Sequence, residues 1–171
     1  MTTTETSTIT APLALSVLDL VPVRTAQTRA QAIASSMALA QRADALGYTR
    51  YWLAEHHNMP SVASTTPPVL VAAASARTQR IRVGSGGVML PNHSPLVVAE
   101  QFAALEALAP GRVDLGIGRA PGSDPVITQL LRMSGTTSDV ERFPGHISDI
   151  LSLVSPDGAT GRLGLVEFRS F

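Results

Sequence analysis

The chain has 171 residues, of which 44% are hydrophobic and 15% are charged, a composition too apolar for a disordered protein. The 13 basic and 13 acidic residues cancel, which argues against nucleic acid or an anionic membrane as a partner. The absence of cysteine excludes disulfides, thiolate metal sites and a thiol nucleophile.

The two ends of the chain differ from its middle. Residues 1–12 are rich in threonine and carry one acidic residue, Glu5, whereas a signal peptide needs a basic start and an apolar core. We predict a disordered leader at 1–12 and a cytoplasmic location. No apolar run reaches the ~18 residues that a membrane helix needs. We predict a folded domain at 13–154 and an atypical tail at 155–171.

Between these ends, short apolar runs alternate with amphipathic segments. Strand-length runs rich in β-branched, aromatic and leucine residues predict strands at 13–18, 49–54, 81–90 and 112–118. The first of them is predicted to be buried. Helical spacing of apolar residues, with Pro or Gly near the segment ends, predicts helices at 29–46, 67–77, 95–108, 126–132 and 138–154.

The order of these elements defines a fold class. Strands separated by helices form right-handed units around a parallel sheet. We therefore predict an α/β fold with four parallel strands and flanking helices. For the last helix, Ser138 or Asp139 is the expected N-cap, because a short polar side chain can accept the first free amides.

Uncommon polar residues follow three of the predicted strands. They are Glu55, His56 and His57 after the second strand, Asn92 and His93 after the third, and Arg119 after the fourth. In parallel β/α proteins the loops after the strands converge on one face, where the chemistry collects. We therefore predict a functional site on this rim.

The sequence Glu55-His56-His57 allows three interpretations. Carboxylate and imidazole suit zinc or iron, but adjacent residues leaving a strand point in opposite directions, and we predict no metal site. One imidazole could instead polarise a flavin or a substrate while Glu55 orients the other. Equally, one histidine could cap the strand through a hydrogen bond to a neighbouring loop.

Two further features carry alternatives of their own. The glycines at 84, 86 and 87 would give a flat ligand close access to a strand, or would serve tight helix–sheet packing. They match neither the dinucleotide-binding nor the P-loop pattern. Arg119 suits a phosphate or another anion, or lies on the surface in a salt bridge.

Three segments taken together resemble the bacterial-luciferase-like family of flavin-dependent oxidoreductases and monooxygenases. They are 51–57 (YWLAEHH), 82–88 (RVGSGGV) and 111–119 (GRVDLGIGR), and the resemblance covers about residues 13–154. It implies a (β/α)8 barrel that binds FMN, or in some branches F420, at its C-terminal rim. The Glu-His-His and Pro-Asn-His segments favour reduced FMN, supplied by a flavin reductase, over F420.

The resemblance also implies roles for individual residues. The family's catalytic histidine corresponds to His57, or alternatively to His56, beside the flavin ring and the reacting substrate. The implied cofactor-binding residues are Gly86, Gly87, Asn92, His93 and Arg119, the last at the flavin phosphate. At Gly86-Gly87 the family often has a non-proline cis peptide against the ring. The implied activity is oxidation of a small organic substrate by reduced flavin and O₂.

The length of the chain departs from the family fold. A (β/α)8 barrel needs about 250 residues and at least about 200, so four strands predict about half of a TIM-type barrel, the N-terminal half. An open sheet leaves its edges and inner face uncovered, which predicts a homodimer or a complementing chain. Two functions follow: a flavin-dependent monooxygenase completed by that second chain or copy, and a truncated, non-catalytic flavin-binding or interaction module.

Overall fold

The computed structural model describes residues 13–122, 124–133 and 140–155. The predicted leader at 1–12 and residues 156–171 of the predicted tail lie outside these ranges, as do Ser138 and Asp139, the two expected N-caps. No helix in the described ranges is long and apolar enough to cross a bilayer.

Strands and helices alternate along the described chain. The strands are β1 (Ser16–Asp19), β2 (Arg50–Leu53), β3 (Arg82–Met89) and β4 (Val113–Gly118). The helices are α1 (Arg29–Ala45), α2 (Pro67–Ser75), α3 (Pro95–Leu108), α4 (Pro125–Met133) and α5 (Phe143–Leu153), with 3₁₀ turns at Leu90–Asn92 and Val140–Arg142. The strands form one parallel sheet in the order β1-β2-β3-β4. The predicted α/β class with four parallel strands is confirmed.

Local sequence explains where the helices begin and end. α1 starts at a capping box in which the Thr28 hydroxyl accepts a hydrogen bond from the Gln31 amide and the Gln31 side chain accepts one from the Thr28 amide. It ends before Gly47, whose φ of +78° suits glycine. Prolines occupy the first turns of α2 and α3, where amides need no helical partner.

The helix predicted over 138–154 is present as α5, but its described first part differs from the prediction. In the structure a 3₁₀ turn at Val140–Arg142 precedes α5, which starts at Phe143. Pro144 is the reason, because a proline has no amide to donate and is tolerated only in the first turn of a helix. The helix therefore starts beside Pro144 and cannot extend back through it.

The hydrophobic core lies between the helices and one face of the sheet. Its members from the strands include Tyr51, Leu53, Val83 and Val88, all at most 2% exposed. They pack with buried residues of α1, α2, α3 and α5. The predicted site residues follow the carboxyl ends of these strands.

The opposite face of the sheet is only partly covered in the described residues, and the prediction of a buried first strand is wrong. Leu18, Trp52, Gly84 and Asp114 are in register across the four strands and so project from this inner face. Leu18 is 58% exposed. In β1, Val17 packs against the core on the helix side, whereas Leu18 lies on the inner face, so only part of the apolar character of this strand reflects burial.

Candidate functional site

A cleft of about 630 Å³ opens at the carboxyl ends of β2, β3 and β4. Its walls come from the loop after β2, from β3, and from the loop and helix after β4. The lining residues are Ala54, Glu55, His56, His57, Met59, Gly86, Gly87, Met89, Gly118, Ala120, Pro121, Gly122, Asp124 and Ile127. The cleft is thus apolar over much of its surface, with polar groups concentrated after β2.

Gly86 and Gly87 lie in the cleft wall and are joined by a cis peptide bond, as the resemblance implied. A Cβ on Gly86 would come within 2.9 Å of the side chains of Leu18 and Trp52. A Cβ on Gly87 would come within 2.9 Å of the Gly116 backbone. The neighbouring strands, not a helix, therefore require glycine here, and the same residues leave the cleft wall without side chains.

Glu55 is the centre of the polar group after β2. Its side chain is fully buried, and Oε1 accepts hydrogen bonds from Nε2 of His57 and Nε2 of His93, each at 2.7 Å. Oε2 accepts the Met89 amide at 2.8 Å. Because an ionised carboxylate can only accept, both imidazoles donate through Nε2. One carboxylate thus joins the loop after β2 to the end of β3 and the loop that follows it.

The hydrogen bonds determine the charge state of this group. Burial raises the pKa of Glu55, but the hydrogen bonds from His57, His93 and the Met89 amide outweigh it and lower the pKa to about 2. The hydrogen bond to Glu55 raises the pKa of His57 above its ordinary value, against a smaller opposing effect of burial. The cleft therefore holds a permanent carboxylate beside an imidazole that is easily protonated.

The two adjacent histidines are not equivalent. His57 makes its only hydrogen bond among the described residues through Nε2, which leaves Nδ1 without a protein partner in a side chain that lines the cleft and is 28% exposed. His56 also lines the cleft, but its Nδ1 is buried without a hydrogen-bond partner in the described chain. Only His57 is oriented by Glu55, as expected for residues that alternate in direction.

Asn92 and Arg119, two of the predicted cofactor-binding residues, lie outside the lining of the cleft. Asn92 is buried, and its side-chain amide donates to the Pro121 carbonyl at 2.8 Å, so it ties the turn after β3 to the loop after β4. Arg119 is exposed at the end of β4. His93 does not line the cleft, but it is hydrogen-bonded to Glu55, which does.

A hydrogen bond between the loops after β2 and β4 borders the cleft. The Asn58 side-chain amide donates to the Asp124 carboxylate at 2.6 Å. This bond, with the amides of Val126 and Ile127, lowers the pKa of Asp124. The two residues are 66 positions apart, and no pattern in the sequence links them.

The spacing of Glu55, His57 and His93 is also compatible with a metal ion, because each offers one potential ligand atom within 4.8 Å of the others. The hydrogen bonds to Glu55 already satisfy these atoms and account for their positions. We assign no metal to them. His56 does not belong to the group, in agreement with the expectation that adjacent histidines would not share an ion.

Comparison with known proteins identifies the class to which this fold and cleft belong. The luciferase-like monooxygenase family matches residues 13–153, and the chain belongs to that family. A relative from Escherichia coli strain K12, described as a luciferase-like monooxygenase, is 50% identical over 141 residues, which are 81% of this chain and 41% of the relative. The chain thus spans about two fifths of the length of the curated relatives it matches.

Solved structures agree with this assignment. The crystal structure of apo-MsnO8 superposes with a TM-score of 0.80 at 40% identity, covering 89% of this chain and 45% of that one. A 3,6-diketocamphane monooxygenase component from Pseudomonas putida in complex with FMN has a TM-score of 0.71 at 21% identity, covering 81% of this chain and 38% of that one. The described fold corresponds to about half of a TIM-type barrel of this family.

Proposed function

We propose that this chain contributes the flavin-facing half of a luciferase-like monooxygenase. The observation that supports it most is the position of His57, held by a buried carboxylate beside a cleft wall that has no side chains at Gly86 and Gly87. A flat ring needs such a wall, and a reacting substrate needs a fixed proton donor or acceptor beside it.

The residues of the cleft fit the ring of FMN better than its phosphate. The volume of about 630 Å³ lies within the range of ligand sites, roughly 300–1,000 Å³, and a wall of glycine backbone can approach a ring closely. Among the lining residues there is no lysine or arginine. We propose that Arg119, exposed beside the cleft, or residues outside this chain hold the phosphate.

The chain's own residues have distinct parts in the proposed reaction. Bound reduced flavin would supply the reducing equivalents for the activation of O₂. His57 gives or takes a proton at Nδ1, and Glu55 fixes the opposite nitrogen as a donor. His56 stays a second candidate, because its buried Nδ1 lacks a partner in the described chain.

The substrate is proposed to be a small and largely apolar organic molecule. Met59, Met89 and Ile127 line the cleft, and flexible thioether side chains adapt to apolar ligands of irregular shape. O₂ is the second substrate in this proposal.

We propose that a second copy of the chain or a complementing chain covers the inner face of the sheet. Leu18 is 58% exposed on that face, and Arg50 and Arg82 meet Asp114 there at 3.0 and 2.5 Å, with side chains that are 40% and 35% exposed. Apolar and charged groups of this kind form the interior of a closed barrel. The alternative is a non-catalytic flavin-binding or interaction module that uses the same cleft.

Flavin retention measured together with mass tests this proposal. The purified chain is mixed with FMN and separated by gel filtration with light scattering. We expect flavin absorbance to elute with protein at twice the mass of one chain or more. Flavin on a monomer would support the non-catalytic flavin-binding module, and protein that elutes without flavin in every species would contradict the monooxygenase. Parallel runs with F420 test the choice of cofactor.

A further inference from the structure

We propose that Glu55 is a positioning residue that couples the protonation of His57 to that of His93. The proposal rests on the proposed function only in giving His57 its role in the reaction. Its physical content is that the protonation of either imidazole opposes the protonation of the other. His93 thereby sets the proton affinity of His57 without lining the cleft.

The geometry leaves the two imidazoles little independence. They donate to the same oxygen, Oε1 of Glu55, at 2.7 Å each. That oxygen belongs to a side chain with no exposure, and the carboxylate's other oxygen is held by the Met89 amide. Glu55 therefore cannot rotate to give each ring its own oxygen without breaking the bond to Met89.

A shared acceptor makes the two titrations interdependent. One carboxylate charge compensates one imidazolium, and a ring nitrogen of His57 lies within 4.8 Å of a ring nitrogen of His93. A second imidazolium at that distance is repelled by the first. Even when His93 is neutral, its hydrogen bond partly neutralises Oε1. Oε1 then stabilises the protonated form of His57 less. Groups that interact in this way titrate as a pair.

Other charged groups around the cleft do not provide a competing partner in the described chain. Asp19, at the end of β1, accepts from Ser36, Tyr51 and the Val21 amide. Asp124, before α4, is bonded to Asn58. His56, after β2, makes no hydrogen bond to Glu55, and Arg119, after β4, is exposed. Glu55 is thus the one described carboxylate bonded to either ring.

Proton NMR titration of the four histidines in the flavin-free chain tests the coupling. In His93→Ala, we expect the midpoint of the His57 titration to rise by about 0.5–1 pH unit. In Glu55→Gln, we expect the His57 midpoint to fall, since burial is then unopposed.

Two further variants guard against indirect effects. His56→Gln changes the same cleft without touching Glu55 and should leave the His57 titration unchanged. His93→Asn keeps a hydrogen-bond donor but removes the group that can be charged. If circular dichroism shows that this variant is folded, we expect a smaller rise in the His57 midpoint. An unchanged His57 midpoint in folded His93→Ala or His93→Asn would overturn the coupling. This result does not depend on flavin, so it is distinguishable from failure of the proposed function.

Discussion

Replacement of His57 by alanine is expected to lower kcat of the flavin- and O₂-dependent reaction by about 10²–10⁴-fold, the usual contribution of a positioned proton donor or acceptor. The reason is that His57 is the cleft-lining imidazole held by the buried Glu55, and its Nδ1 has no hydrogen-bond partner among the residues that the structure describes. KM should change little, because alanine leaves the apolar lining of the cleft in place. Steady-state rates of the active assembly provide the measurement.

Two histidine variants serve as controls for this prediction. His56→Ala removes the neighbouring candidate, which lacks the bond to Glu55, and a smaller loss is expected. His146→Ala alters α5, away from the cleft lining, and should leave the rate unchanged. If His57→Ala retained full turnover while His56→Ala lost it, the catalytic role would pass to His56. Full turnover in both variants would exclude a catalytic imidazole after β2.

The second large effect is expected from Gly116→Ala, which should lower the free energy of unfolding by about 3 kcal/mol, at the upper end of typical overpacking costs. A Cβ on Gly116 would stand 2.1 Å from the Ser85 carbonyl oxygen. The Ser85 hydroxyl also bonds the Gly116 carbonyl and amide at 2.8 and 3.1 Å. The added methyl must therefore push β3 and β4 apart at a buried contact.

Gly145→Ala is the matched control, because a Cβ there meets nothing within 4 Å. It lies inside α5, where alanine is favoured over glycine by roughly 0.5–1 kcal/mol. Urea unfolding of both variants should therefore show shifts of opposite sign. Equal stability of Gly116→Ala and the unsubstituted chain would mean that β3 and β4 are not packed as described.

Much of the fold could be predicted from local signals. Pro95 at the start of α3 and Gly47 after α1 are helix start and stop signals. They act through backbone geometry alone, so they can be recognised in the sequence. The exposure of Leu18 in β1 was not predictable in the same way, because a leucine in a strand suggests core whichever face of the sheet it occupies. The start of α5 could have been found from Pro144, whose missing amide forbids the longer helix.

The candidate site was predictable in its location but not in its connections. Glu55 and His57 are two positions apart where a strand ends, a signal that they point the same way and His56 the other. The convergence of His93 on the same carboxylate oxygen depends on how β2 and β3 are aligned, which no local pattern encodes. The apolar lining by Met59, Met89 and Ile127 likewise depends on three separate segments meeting in space.

Fluorescence of Trp52 tests most directly whether flavin occupies the cleft. It is the single tryptophan of the chain, and its Cβ lies beside Gly86. We expect FMN to quench it saturably. Ile127→Phe, which crowds the cleft, should weaken binding about tenfold, equivalent to roughly 1.4 kcal/mol. Leu130→Phe, an exposed position on the same helix, should bind like the unsubstituted chain. Quenching that never saturates, or that is identical in both variants, would contradict a flavin site in this cleft.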